Sequence, residues 1–261
     1  MNSELLSSFI LPVLLGEIIL FLWGSLRQNW AVADVGWGLI PALLCAYTLK
    51  QFPTESGSFF LHLAVMLWGF RLAIYLMIRQ RGKKEDFRYA AWRKNWQQHG
   101  NSYLLMRSFL QIFLLQGILL TIILIPLYAG PVDAAGVQNK LLFWTGCIIW
   151  LIGWLTESIS DWQKHIFRKK TSHAHRPCNV GLWKYSRHAN YLGEIILWWG
   201  IGLMGFSMGS IISMISPLLL TYLIIYVSGI PLLTEKYNKN PSYKQYLEET
   251  APLIPGIKHW P

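Results

Sequence analysis

The stretch WKYSRHANYLGEII, Trp183 to Ile196, leads from a basic loop into an apolar run and sets Arg187, His188, Asn190, Tyr191 and Glu194 at the start of that run. Polar groups at the mouth of a membrane helix are tolerated only where something polar bonds them, because hydrocarbon offers no replacement for water. Whether this doorway opens a membrane helix therefore decides both the fold and the place to look for a ligand.

Outward from it, the 261 residues are 53% hydrophobic and 14% charged, against roughly 25% charged in an average soluble domain. The composition is that of an all-α integral membrane protein. A spanning helix needs about 20 mostly apolar residues to cross roughly 30 Å of hydrocarbon at about 1.5 Å per residue. Seven such runs occur, over about 5–26, 31–50, 58–78, 105–128, 140–160, 191–208 and 210–233. They predict a seven-transmembrane helix bundle forming a single domain over 1–261. The first run is too long, and too weakly basic ahead of it, for a signal peptide, and is read as a helix.

Cytoplasmic loops collect Lys and Arg. Of the 23 Lys and Arg, only Lys50 and Lys140 fall opposite the rest, and Arg71 lies within a span. This bias places the N-terminus outside and the C-terminus in the cytoplasm. The net charge of +10 needs no nucleic acid partner, since anionic membrane lipids attract juxtamembrane cations at about 1 kcal/mol each. Cys45, Cys147 and Cys178 lack disulfide or zinc spacing.

The cytoplasmic segments 79–104 and 161–190 read as long loops, and their aromatic residues argue against disorder. The tail 234–261, with Tyr237, Tyr243, Tyr246 and Trp260, is expected to fold back on the cytoplasmic face. Gly200 to Gly205 matches GxGxxG, but it lies inside the sixth run with no acid until Glu235. It reads as close helix packing rather than a nucleotide loop.

Ionisable groups in or beside the spans carry more information: Glu17, Asp34, Arg71, Glu157, Asp161 and Glu194. Glu157, Asp161, Lys164 and Arg168 are spaced to share one helix face. They form either a charge ladder at the membrane edge or an inward polar stripe for a ligand. Arg187, Asn190, Tyr191 and Glu194, with His188 beside them, cluster at a helix N-terminus, where free N–H groups and an Arg fork favour phosphate. Arg168-Lys169-Lys170 suits a 2′-phosphate as well as it suits topology. His173 and His175 read as solvated loop residues. Glu85 to Tyr89 reads as a salt-bridge knot or as a clamp on the same ligand.

Several segments together, LWGFRLAIYLMIRQRGKKEDFRY, ESISDWQKHIF, GLWKYSRHANYLGEIILWWG and the tail's SYKQY, resemble the membrane reductases of the steroid 5α-reductase superfamily, in its uncharacterised 5α-reductase-like branch. The resemblance runs from about Ala33 onward. It implies a seven-helix fold that binds NADPH from the cytoplasmic side and takes a lipid-like substrate among the early helices. Asp161, Arg168, Asn190, Tyr191 and Glu194 match positions that hold the dinucleotide there, and Arg187, His188, Tyr243 and Tyr246 match further ones. Glu157 stands where steroid reductases tend to carry an amide. Two departures stand out. Ala189 replaces the branch's usual Pro, and Trp68 falls where the reductases set a Tyr against the substrate ketone. Asp34 is the best candidate for the catalytic acid, with Tyr75 second.

The implied reaction is hydride transfer from NADPH to an activated C=C bond of a steroid, isoprenoid or other lipid. A methyltransferase of the isoprenylcysteine carboxyl type, using S-adenosylmethionine, shares the Arg-His-x-x-Tyr-x-Gly block and is the alternative enzyme. A lipid-binding relative without chemistry is the non-enzymatic one. The membrane is a bacterial inner membrane or the endoplasmic reticulum.

Overall fold

A computed structural model describes residues 3–51, 56–128, 137–169, 176–233 and 241–257, and among them every regular element is a helix. The chain divides into two compact units. One is Met1–Gly136 with Met208–Ile212, the other Val137–Ser207 with Ser213–Pro261.

The amino-terminal unit begins with α1 (Ser3–Leu26), α2 (Val32–Gln51) and α3 (Ser56–Gln80). α2 and α3 meet backbone to backbone at Gly38 and Gly69: a Cβ on Gly38 would come within 2.5 Å of the Gly69 carbonyl oxygen. Helices in a membrane gain little from burying apolar surface, so small residues that allow such close approach carry the packing. The segment expected as a loop over 79–104 contains α4 (Phe87–Gln97), which Asp86 caps by accepting from the Arg88 N–H at 3.1 Å. Tyr89 and Trp96, seven residues apart on one face of α4, are buried with Trp30, Ile112 and Phe113. α5 (Asn101–Ser108) begins ahead of the predicted fourth span and passes through a π-helical turn, Phe109–Leu114, into α6 (Leu115–Ile123) and the short α7 (Ile125–Tyr128).

The carboxy-terminal unit is built on α8 (Lys140–Lys169) and α9 (Ala189–Ser207). α8 has 30 residues and so runs about 45 Å, longer than the hydrocarbon layer is thick. It therefore continues through the first part of what reads as a loop over 161–190. Gly146 and Gly153 of α8 face Gly200, Gly193 and Leu197 of α9 so tightly that a Cβ on Gly200 would sit 2.5 Å from the Trp150 nitrogen. The GxGxxG match is thus a packing surface. α10 (Ile215–Tyr222), continued by a π turn over Leu223–Val227, meets α9 at Gly202, whose Cβ would lie 2.7 Å from Pro217 Cγ. The described tail forms a 3₁₀ turn, Pro241–Tyr243, and α11 (Lys244–Glu249).

Each of the seven apolar runs is mostly helical where described, and among the described residues six helices are long and apolar enough to cross a membrane. α9 is the one outside that set. Asn190, Tyr191 and Glu194 lower its apolar content, and much of its length is buried in protein. Lys170, His173, His175, Glu235, Lys236, Tyr237, Lys239, Lys258 and Trp260 lie outside the described residues.

Candidate functional site

The inner face of α8 carries Glu157, Ser160, Asp161, Lys164 and Arg168 in that order toward its C-terminal end. Glu157 is 2% exposed and Asp161 3%, so the acidic half of the stripe is buried and the basic half lies toward the helix end. Next along the chain comes a 3₁₀ turn, Gly181–Lys184. Gly181 adopts φ +55°, and the Gln163 amide fills the space a Cβ would take; Gln163 Oε1 accepts from the Leu182 N–H at 2.9 Å. Only glycine combines that backbone with that approach.

Trp183 is the keystone of this unit. It is fully buried, its indole N–H donates to the Ser160 carbonyl at 2.8 Å, and its ring lies 4.2 Å from Lys164 Nζ. The tail closes on the same residue, with the Tyr246 hydroxyl donating to the Trp183 carbonyl at 2.7 Å. Tyr243 accepts from Arg168 Nη2 at 2.9 Å and donates to the Arg176 carbonyl at 3.3 Å. A parallel bridge between Ser186 and Ala251, with the Arg187 N–H donating to the Ala251 carbonyl at 2.9 Å, continues the seam.

Lys164, Arg168, Cys178, Trp183, Arg187, Tyr243 and Tyr246 line one cleft, with no carboxylate among these described residues. Its cavity volume is about 10 Å³, close to the space of one water. Burial disfavours the Arg187 charge, and its Nε lacks a hydrogen-bond partner among the described residues. The Cys178 thiol is pushed up by burial, against the pull of Lys164 and Arg168. His188 stacks parallel on Tyr191, with ring centroids 5.6 Å apart. Burial, together with the Lys164 and Arg187 charges, lowers its imidazole to about 3, so it is neutral at physiological pH. A cluster of cations beside a neutral imidazole is suited to holding an anion.

Of the residues singled out from the sequence, the cleft brings together Lys164, Arg168, Arg187, Tyr243 and Tyr246. Glu157 and Asp161 lie further back along the same face of α8. Asn190, Tyr191 and Glu194 occupy the first turns of α9 around Gly193, whose backbone is pressed against Glu157. Two lining residues escape sequence reasoning. Trp183 resembles any interfacial aromatic, and Cys178 is a lone thiol in a loop.

Asp34 and Tyr75 belong to the amino-terminal unit. Tyr75 is half-buried on α3. Asp34 sits in the first turn of α2, where Oδ2 accepts from Arg88 Nη2 at 2.7 Å and Oδ1 from the Tyr89 hydroxyl at 2.6 Å. Arg88 also bonds Asp86 through Nε at 2.9 Å. Burial pushes the Asp86 carboxyl up, but Arg88 outweighs it and holds the group below the usual carboxylate range. Glu85 accepts from Arg93 Nε and Nη2, both at 3.0 Å, and from the Trp30 N–H at 2.7 Å; the Arg93 guanidinium lies 3.9 Å from the Trp30 ring centroid. The run Glu85 to Tyr89 is therefore the salt-bridge knot of its two readings, pinning α4 to the turn between α1 and α2.

A family model described as a protein of unknown function (DUF1295) matches residues 20–250. The chain belongs to that family. No curated protein matches it.

Proposed function

We propose that the chain is an NADPH-dependent membrane reductase acting on an activated C=C bond of a lipid-like substrate. The observation that carries this reading is the convergence of Lys164, Arg168 and Arg187 on one cleft. That donor set suits phosphate groups, which two guanidiniums can grip in bidentate fashion. Glu157 and Asp161, buried behind the cations on the same helix face, suit hydroxyl or amide donors further along a dinucleotide. The cleft holds about one water, so Tyr243, Tyr246 and the tail that bears them swing aside when a phosphate enters. NADPH, when bound, supplies the hydride. The resemblance to the steroid 5α-reductase superfamily, a seven-helix topology with the C-terminus cytoplasmic, and α9 as a span enclosed by protein belong to the same proposal.

Asp34 accepts from both Arg88 and Tyr89. We therefore assign it to anchoring α4, and leave Tyr75 as the remaining expected proton donor. The Arg187-His188…Tyr191…Gly193 block favours a methyltransferase as the second reading. The sulfonium of S-adenosylmethionine is itself a cation, however, and three cations on one cleft oppose it.

The test is thermal unfolding of detergent-purified protein with NADPH, NADH or S-adenosylmethionine, in the wild type and in Asn190→Ala and Glu194→Ala. A ligand at 100 times its dissociation constant adds about 2.7 kcal/mol. NADPH is expected to stabilise the wild type, and both substitutions to abolish the shift. Stabilisation by S-adenosylmethionine in place of NADPH, or by none of the three, sinks the reductase reading.

A further inference from the structure

Glu17 lies in the middle of α1 and is 1% exposed. Gln116, near the start of α6, donates its amide to Glu17 Oε1 at 2.9 Å and to the Ala33 carbonyl at 2.8 Å, which uses both of its N–H groups. Glu17 Oε2 has no hydrogen-bond partner among the described residues. The contrast with Asp34, both of whose oxygens accept from charged or hydroxyl donors, lies within one unit. Hydrogen bonding between helices accounts for Oε1; it leaves Oε2 buried without a hydrogen-bond partner among the described residues, an arrangement costly enough that intramembrane carboxyls usually mark sites.

Two further features surround the pair. A Cβ on Gly117 would come 3.2 Å from Glu17 Cγ, and one on Gly36 would come 3.3 Å from Gln116 Nε2, so the absence of side chains there makes room for the two polar groups. The π turn Phe109–Leu114 ends just before Gln116, and it shifts the register of the α5–α6 helix at the point where Gln116 meets α1. Such turns are frequent at functional positions.

We propose that Glu17, oriented by Gln116, is the polar contact of a lipid site in the amino-terminal unit. Its ligand is a lipid whose polar end is a single carbonyl or hydroxyl oxygen. One free carboxyl oxygen matches one such group. Leu14 and Leu20, the side chains nearest Gly117 and Gly36 beside the pair, suit a hydrocarbon body rather than a phosphate head. The site does not depend on the nucleotide reading.

The experiment is photolabelling in nanodiscs, without nucleotide, using a long-chain ketone and a long-chain alcohol that carry a diazirine, with diazirine phosphatidylcholine as the control. At least one single-oxygen probe is expected to label the peptides containing Glu17 and Gln116. Excess unlabelled ketone or alcohol should displace it, and Glu17→Leu, which removes the polar contact, should weaken it about tenfold, as loss of one hydrogen bond predicts. Label that is equal for phosphatidylcholine, resists the competitor in the wild type, or is indifferent to Glu17→Leu overturns the proposal. The competition arm decides the matter even where the variant folds poorly. Labelling that persists while NADPH fails to stabilise the protein leaves this site standing and removes only the nucleotide reading.

Discussion

In the amino-terminal unit each acid of the cluster Asp34, Glu85 and Asp86 meets an Arg within hydrogen-bond distance. In the carboxy-terminal unit the basic side chains gather on one cleft instead, where Arg168 donates to the Tyr243 hydroxyl and Lys164 lies over the face of Trp183. The same residue types thus do different work. Cations bonded to acids have spent their field on the fold and hold α4 in place. Lys164, Arg168 and Arg187 line one cleft, and on the proposed reading an anion that enters it meets all three.

The largest expected effect breaks the first half of this contrast. Arg88→Ala strips a donor from both Asp34 and Asp86, leaving half-buried acids without their charge partner. Removing one member of a buried pair costs about 3–5 kcal/mol, and partial exposure of this one brings the expectation to about 3 kcal/mol. Denaturant unfolding in detergent measures it. Stability unchanged in Arg88→Ala would mean that the knot is incidental to the fold.

A pH titration sharpens the second half. The folded His188 imidazole is lowered to about 3 from its ordinary 6.5, so on acidification the unfolded chain takes up this proton first. The stabilisation is complete above about pH 6.5 and is lost as pH falls toward 3, at up to about 1.4 kcal/mol per pH unit. At pH 5 the loss is about 2 kcal/mol, and His188→Gln should flatten that part of the curve. A wild-type curve with the same slope as the variant's would remove His188 from the buried cluster.

The smallest effect concerns the tail. Tyr246→Phe deletes one hydrogen bond to the Trp183 carbonyl, worth about 1 kcal/mol. It should speed hydrogen exchange over Lys244–Glu249 while leaving α4 unchanged. Equal exchange in both proteins would show that other contacts hold the tail.

The apolar runs were legible because hydrocarbon thickness fixes their length, and the stripe Glu157, Asp161, Lys164, Arg168 because helical spacing fixes its face. α4 was not legible. It is short and heavily charged, and its buried Tyr89 and Trp96 find their partners in Trp30, far away in sequence. For the same reason Asp34 stood out only as a candidate catalytic acid, since its two donors stand more than 50 positions along the chain. The division into two units left no mark on hydropathy at all, because both units are apolar by the same measure. Trp183 stood in the quoted stretch without a role of its own, for an indole bonding a backbone carbonyl leaves no pattern in sequence.

The most direct test of the contrast compares NADPH-induced thermal stabilisation in the double variant Arg168→Ala/Arg187→Ala with that in Arg88→Ala. The account predicts that the double variant stays folded but loses the shift, and that Arg88→Ala melts lower yet keeps the shift. A double variant that still responds fully to NADPH, or an Arg88→Ala protein that loses the response, would contradict it.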